Sequence, residues 1–274
     1  MIDLHIHSKF SDGDKTIPEL IDMLKRKKVE LFSITDHDSV DSLKVLESIP
    51  DITYIPGVEM SAVSNGVKMH ILGYGIDDNS KLKSTCEIIK KTRKELVLEI
   101  LEDLIKRGYK FSEEDLSCFY NSESSCIGKV EISKFLVKNG YALSVKDAFY
   151  EILGRYKIGP KIRKNAEQII DEIHEKDGLA ILAHPFEIVR KQGVEIVPVI
   201  DELEYYGLDG VEVFTTKHNK EEEEYMHDLC RNRGLLISGG SDYHGPLTKP
   251  NIQICDSVKG DEISEKIKKK RIKH

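Results

Sequence analysis

The chain has 274 residues, 39% hydrophobic and 32% charged, with 41 Lys and Arg against 48 Asp and Glu for a formal net charge of −7. That length and apolar content can build one large core, and the acidic balance argues against duplex DNA as a partner, since its phosphates demand a basic footprint. No apolar run approaches membrane-spanning length, no signal peptide is expected, and the five widely spaced cysteines form no CxxC pair, which predicts a reduced cytoplasmic protein without a cysteine-held zinc.

In "IDLHIH", Ile2, Leu4 and Ile6 alternate with Asp3, His5 and His7, the period of a strand that puts His5 and His7 on one face. Two such imidazoles can chelate a metal or simply lie exposed on an edge strand. "TIPELIDMLKRKK" reads as a helix with Thr16 as N-cap and Pro18 in its first turn. "LFSIT" is a short strand that runs into Asp36-His37-Asp38, and Ser39 is expected to cap "VDSLKVLESI". "ITYIPGVEMSA" and "VKMHILGYGI" are the next strands.

Residues 81–107 then read as one long helix, with Ile88, Ile89, Leu96, Val97, Ile100, Leu101, Leu104 and Ile105 on one broad face and Gly108 as its stop. Ser112 starts another helix, and 129–139 and 144–153 also have helical character. Helix 165–176, strand "GLAILAHP", helix 195–206, strand "GVEVF", helix 219–233 and strand "LLISGGSD" follow. The pattern predicts an α/β domain from 1–80 and 161–274, with a mostly parallel sheet or barrel, interrupted by an all-helical insertion at 81–160. The basic tail "KIKKKRIKH" reads as the end of a solvated helix, with nucleic-acid contact as the other reading.

The C-terminal ends of parallel strands share one mouth, where such folds place their sites. His5, His7, Asp12, His37, Glu59, His70, His184, Asp242 and His244 can therefore converge there, which uses six of the ten histidines. The others are His174 and His227 in helices, His218 in a loop and His274 in the tail. Singly, each piece has a plain explanation: His184 before Pro185 as a turn residue, Ser241-Asp242 as a helix cap, Asp36-His37-Asp38 as a solvated loop. Together they point to metal. Nine nitrogen and oxygen donors exceed one tetrahedral zinc and suit two to three divalent ions bridged by carboxylates. Against Asp12, Glu59 and Asp242 such ions leave a net positive site, an anion trap on an acidic protein; manganese, iron and zinc all fit the donor set.

"DLHIHSKFSDG", "ITDHDS", "GVEMSA", "HILGYGID", "AILAHP", "DGVEVF" and "GGSDYHG" resemble the motifs of the PHP (polymerase and histidinol phosphatase) family over most of 1–78 and 165–250. The resemblance implies a distorted seven-stranded (β/α) barrel and a trinuclear site. It implies one metal on His5, His7, Glu59 and Asp242, a second on Glu59, His70 and His184, and a third on Asp12, His37 and His244. The insertion resembles the subgroup of nucleoside 3',5'-bisphosphate phosphatases and 5'-to-3' exoribonucleases. Its usual Gly-Arg-Pro-His is Gly128-Lys129-Val130-Glu131 here, and a usual Tyr-Val-Pro is replaced near "KIGPKIRK". Lys129 replaces an arginine fork by a point charge, and Glu131 would repel phosphate if it faced the site. Arg93, Lys129, Lys161 and Arg163 are the basic candidates for substrate binding, each with a solvated surface position as its other reading.

The implied activity is a metal-dependent phosphoesterase on nucleotide phosphate esters, nucleoside 3',5'-bisphosphates first, by attack of a metal-bound hydroxide, with Glu59, Asp242 and His244 at the catalytic centre. The insertion would cover the mouth and select the leaving group. A 5'-to-3' exoribonuclease on short RNA, a histidinol-phosphate phosphatase and a non-catalytic metal-stabilised module remain alternatives. The substrate would be a small nucleotide or short oligonucleotide, not duplex DNA or a membrane.

Overall fold

Strand alternation and helix caps set the first elements of the chain, whose computed structural model describes residues 1–77, 80–122 and 124–273; His274 of the tail lies outside these. β1 (Ile2–Ile6) pairs parallel with β2 (Leu31–Ile34), and the register shifts between Asp3 and Ile6. Leu4 and Ile6 consequently enter different apolar clusters, the kind of redirection a bulge provides beside a site. Between these strands α1 (Ile17–Arg26) begins with a capping box: Thr16 Oγ1 accepts from Glu19 N, and the Glu19 carboxylate accepts from Thr16 N.

Ser39 does not cap the next helix. Its hydroxyl takes the N–H of Asp41, one residue before α2 (Ser42–Leu46), which is shorter than the sequence pattern suggests. Pro56 divides "ITYIPGVEMSA" into β3 (Thr53–Tyr54) and β4 (Gly57–Ser64), since it has no N–H to continue a ladder. β4 and β5 (Val67–Tyr74) form a hairpin through Asn65 (φ 45°) and Gly66 (φ 83°), the left-handed pair that a two-residue turn needs.

The insertion contains α3 (Lys81–Lys106), capped by Ser80, α4 (Glu113–Tyr120), capped by Ser112, α5 (Lys129–Lys138), α6 (Val145–Asp147), which runs into a π-turn at 148–152, and α7 (Gly159–Ile162). Among its described residues there is no strand. The face of α3 is narrower than predicted: Ile89, Leu96, Val97, Ile100, Leu101 and Leu104 are buried, but Ile88 and Ile105 are exposed.

The alternating pattern then resumes with β6 (Lys164–Asn165), α8 (Ala166–His174), β7 (Leu179–Leu182), α9 (Pro185–Gln192), α10 (Ile196–Tyr205), β8 (Gly210–Thr215), α11 (Lys220–Arg233), β9 (Leu236–Gly240), α12 (Glu265–Lys268) and β10 (Ile272–Lys273). The basic tail is not the end of a long helix: Ile272 and Lys273 pair antiparallel with β3.

The strands form two sheets, in the orders β1-β2-β3-β10 and β6-β4-β5-β7-β8-β9. Leu4, Leu31, Leu72, Tyr74, Leu179 and Ile181 pack between them. The expected seven-stranded barrel is not one continuous ladder among the described residues; the sheets meet at two single bridges, Ile6 with Tyr243 and His37 with Glu59. At the first seam Gly240 lies so close to β1 that a Cβ there would be 2.2 Å from His5 Cβ. The strands are also not all parallel. β5 runs antiparallel to both β4 and β7, so His70 is a mid-strand residue rather than one at a strand end. It reaches the mouth because it pairs with Ser61, which follows Glu59 on the same face of β4. None of the described helices is long and apolar enough to cross a membrane.

Candidate metal centre

Glu59, fully buried on β4, is the hub. Its Oε2 lies 3.2 Å from His5 Nε2, 3.1 Å from His7 Nε2 and 3.0 Å from His37 Nδ1. Its Oε1 lies 2.9 Å from His70 Nδ1 and 3.0 Å from His184 Nε2. Asp242 Oδ1 is 3.4 Å from His7 Nε2, 3.6 Å from His5 Nε2 and 3.4 Å from His244 Nδ1. Asp12 Oδ1 is 3.5 Å from His7 Nδ1 and 3.3 Å from His244 Nε2, and its Oδ2 is 3.9 Å from His37 Nε2. All nine residues singled out in the sequence thus share one constellation.

Three donor groups are tight enough to hold an ion, each within 4.8 Å: His5, His7, Glu59 and Asp242; His7, Asp12, His37 and His244; and His37, Glu59 and His70. The first has the membership that the family resemblance implies. In the other two, His7 joins Asp12, and His37 joins Glu59 and His70, while His184 meets Glu59 Oε1, the oxygen that His70 also meets.

The donor atoms fit cations rather than one another. Asp12 Oδ1, Glu59 Oε2, His37 Nδ1 and His70 Nδ1 are buried and have no hydrogen-bond partner among the described residues, although each has an opposite atom within about 3.5 Å. Buried polar atoms left unpaired cost about 1–3 kcal/mol each, so lone pairs converging this way call for an ion between them. Two of the residues also carry backbone strain: His184 has φ 31° and Asp242 φ 55°.

Burial disfavours the ionised forms of Glu59, Asp12 and Asp242, but the surrounding imidazoles, and Lys249 for Asp242, outweigh it and hold all three below the ordinary carboxylate range. Burial likewise opposes a proton on His7, yet Asp242 and Glu59 lift it to about 9. Glu212 and Glu59 raise His5 against the same penalty, and Glu59 raises His184. Burial prevails at His37 and His244, which go down. Without metal the nest therefore holds protons that cations would displace.

Several supporting residues were not singled out in the sequence. Glu212, fully buried on β8, places Oε1 2.8 Å from His5 Nδ1 and accepts His184 N at 2.9 Å through Oε2. With the His5 proton on Nδ1, Nε2 is left as the donor. His244 Nδ1 is 2.8 Å from Asp242 O, which likewise frees its Nε2. Asp36 accepts from Ser8 N, Ser8 Oγ and Ser11 Oγ and so shapes the loop that carries Asp12. Asp3 accepts from Ser241 N and Cys255 N. Glu212 had a signal: a lone carboxylate in the middle of the apolar strand "GVEVF".

A cleft of about 510 Å³ opens between the nest and the insertion, with Asp12, His37 and His70 on one wall and Lys68, Arg93, Lys129, Lys134, Lys157 and Arg163 around the rest. Ser125 of the insertion donates to Phe10 O and His37 O and ties the two parts together. Of the four predicted basic residues, Arg93 lines the cleft but is paired, Nη2 to Asp38 Oδ2 at 3.1 Å. Lys129 lines it but donates to Leu153 O (2.8 Å) and Tyr156 O (3.2 Å) and lies 4.5 Å from the Phe149 ring centroid. Lys161 is exposed and outside the lining. Arg163 lies in the wall with no carboxylate at ion-pair distance among the described residues, its Nε buried without a partner, and burial pushes its pKa down. Glu131 faces the cleft, where its Oε2 accepts Gly128 N at 3.0 Å and caps its own helix.

The PHP domain profile matches residues 3–178. A phosphoribosyl 1,2-cyclic phosphate 1,2-diphosphodiesterase from Eggerthella lenta is 27% identical over 89% of this chain and 94% of its own. The Escherichia coli 5'-3' exoribonuclease Rnm is 31% identical over 89% of this chain and 85% of its own. A 3',5'-nucleoside bisphosphate phosphatase from Chromobacterium violaceum is 27% identical over 89% and 87%. Among solved structures, a Bifidobacterium adolescentis chain described as a metal-dependent phosphoesterase superimposes with a TM-score of 0.79 at 22% identity, over 98% of this chain and 96% of that one, a likeness of fold.

Proposed function

The chain belongs to the PHP family of metal-dependent phosphoesterases, and we propose that it hydrolyses phosphate esters of nucleotides, nucleoside 3',5'-bisphosphates first among them, with two to three manganese, iron or zinc ions. The observation that carries the substrate reading is Arg163: a half-buried guanidinium without a carboxylate partner among the described residues, in the wall of the cleft that begins at His37 and His70. A half-buried cation with no carboxylate at ion-pair distance favours an anion from outside, and the bidentate fork suits phosphate.

In this reading His5, His7, Glu59 and Asp242 would hold one ion, Glu59, His70 and His184 a second, and Asp12, His37 and His244 a third, with Glu59 contributing to the first two. Divalent ions there supply Lewis acidity, which lowers the pKa of water toward neutrality and stabilises charge developing on phosphoryl oxygens. The chain's own residues do the rest. Glu59, Asp242 and His244 form the catalytic centre, Glu212 keeps the His5 proton on Nδ1, and Arg163, with Arg93, binds a second phosphate. The insertion at 81–160 selects the substrate, and its Glu131 competes with phosphate at the start of α5. The five cysteines, all free, accord with a reduced cytoplasmic setting.

One observation favours a second reading, a 5'-3' exoribonuclease. A smaller cleft of about 250 Å³, with Ser11, Ser122, Ser124, Phe119 and Phe135 in its wall, shares Asp12, Glu131, Lys134 and Thr248 with the first. A phosphoryl group at Asp12 then has room for substituents on both sides, as a diester requires. The test is a panel of a nucleoside 3',5'-bisphosphate, a 5'-phosphorylated oligoribonucleotide and histidinol phosphate with metal-reconstituted protein. The bisphosphate is expected to have the highest kcat/KM; higher kcat/KM on the oligonucleotide selects the second reading, and no turnover of any leaves a metal-stabilised module.

A further inference from the structure

Two lysines hold the ligand carboxylate of Asp242 from behind. Lys249 Nζ lies 2.7 Å from Asp242 Oδ2 and 3.5 Å from its main-chain oxygen, and Lys217 Nζ lies 3.5 Å from the same Oδ2. Both side chains are only 23% exposed. Oδ1, in contrast, faces His5, His7 and His244. A lysine that merely stood in for a cation would sit at Oδ1 among the imidazoles; these two occupy the opposite oxygen.

Lys217 reaches further. Its Nζ is also 3.5 Å from Glu187 Oε1, and the other oxygen of Glu187 is 3.3 Å from His184 Nδ1, an electrostatic contact without hydrogen-bond geometry. A chain of charges thus runs Asp242–Lys217–Glu187–His184, from the turn after β9, through the turn after β8, to the ligand that follows β7. Lys191, 2.7 Å from Glu187 Oε1, holds its solvent side. Lys249 has no carboxylate partner but Asp242 among the described residues.

We propose that Lys217 and Lys249 are positioning residues of the metal centre: they present Asp242 through Oδ1 alone, and Lys217 also places the Glu187 carboxylate beside His184 Nδ1, where its charge supports that ring. The inference rests on the ligand assignment above. Its sign separates it from simple electrostatics. A positive charge near a cation site repels the ion, so removing the charge should tighten binding if charge were all that mattered. Loss of a positioning partner of a metal ligand instead weakens metal affinity, typically 10- to 100-fold.

The experiment is calorimetric titration of chelator-treated, dialysed full-length protein with MnCl2, for wild type, Lys217→Met, Lys249→Met and Lys217→Arg. Thermal melts of the metal-free proteins show whether each variant is folded. Lys249→Met is expected to weaken one binding event by about 10- to 100-fold, Lys217→Met to weaken two, and Lys217→Arg to recover most of the loss. Unchanged or tighter Mn²⁺ binding in both Met variants overturns the proposal. Identical single-event losses overturn the link from Lys217 to His184. If a Met variant does not fold, Lys217→Gln and Lys249→Gln take its place with the same criteria. Wild-type protein that takes up no Mn²⁺ fails the ligand assignment itself, and this inference with it.

Discussion

Glu212→Gln removes one acceptor without changing shape, and the geometry makes the consequence specific. Both oxygens of Glu212 are in use: one accepts from His5 Nδ1 at 2.8 Å, the other from His184 N at 2.9 Å. A glutamine has one oxygen and one NH₂. If its oxygen stays on His5, the NH₂ meets the N–H of His184, donor against donor. If it flips, the NH₂ faces His5 Nδ1, which must then accept, and the His5 proton moves to Nε2, the atom that faces Glu59 and Asp242. In the first case a fully buried site loses a hydrogen bond, at about 1–3 kcal/mol, or about 5- to 150-fold in an equilibrium constant; in the second both hydrogen bonds persist, but His5 Nε2 carries the proton and is lost as a metal donor. The range overlaps the 10- to 100-fold typical of lost outer-shell partners of metal ligands. Manganese titration of the chelator-treated variant is expected to show one weakened binding event, with kcat/KM on a phosphate ester reduced by a similar factor. Wild-type affinity in a folded Glu212→Gln protein would refute the claim that Glu212 sets the His5 tautomer.

Four other outcomes are expected. Asp242→Asn should retain the fold and lose roughly 10²-fold or more in kcat, the scale for one electrostatic stabiliser, measured by steady-state kinetics; near-wild-type turnover would make Asp242 a turn residue only. Chelation should abolish activity, reconstitution should restore it, and elemental analysis should find two to three equivalents of divalent metal; less than one equivalent after reconstitution counts against the nest. Arg163→Ala should lower kcat/KM for a 3',5'-bisphosphate by about 10- to 150-fold and spare a monophosphate ester, as expected for one charge-assisted hydrogen bond worth ~1.5–3 kcal/mol. Lys129→Ala, which frees two carbonyls at the 153–156 turn, should show in the melting temperature as well as in kcat/KM; equal losses on both substrates for Arg163→Ala would place that residue at the reacting phosphoryl group.

What was legible in the sequence was local. Thr16 and Ser112 announce their helices because a hydroxyl before the first turn satisfies a free N–H, and both do so here. His5 and His7 share a site because residues two apart on a strand share a face. His37, His184 and Asp242 follow short apolar runs, so their place near strand ends could be read without knowing any pairing. What was not legible depended on partners distant in the chain. Nothing local in "VKMHILGYGI" says that β5 runs antiparallel to β7, and that orientation decides how His70 enters the site. Ile272 and Lys273 form a strand only because β3 offers an edge. Glu212 looks like an interruption of a strand until His5 and His184 are brought to its two oxygens from 207 and 28 positions away.

The two halves of the cleft differ in how their charges are committed, and that difference bears on how substrate choice can change without touching the chemistry. On the side of the two sheets the polar groups form a closed network: Glu212 holds His5, Asp36 holds the loop of Asp12, and Glu59 meets five imidazoles. A change at any one of them propagates to donor atoms about 3 Å apart, so the network tolerates little substitution. On the insertion side the ties are individual. Arg93 is held by Asp38, Lys129 by two carbonyls, and Glu131 by the N–H of Gly128, while Arg163 is held by no carboxylate among the described residues. Replacing one of these alters which anion fits without disturbing its neighbours. Glu131 illustrates the point: as the acceptor at the start of α5 it already takes the backbone N–H that an incoming phosphate would otherwise use. A second phosphate therefore has more to gain at Arg163, which is half-buried and has no carboxylate at ion-pair distance among the described residues, than at Gly128-Lys129, where both donors are engaged.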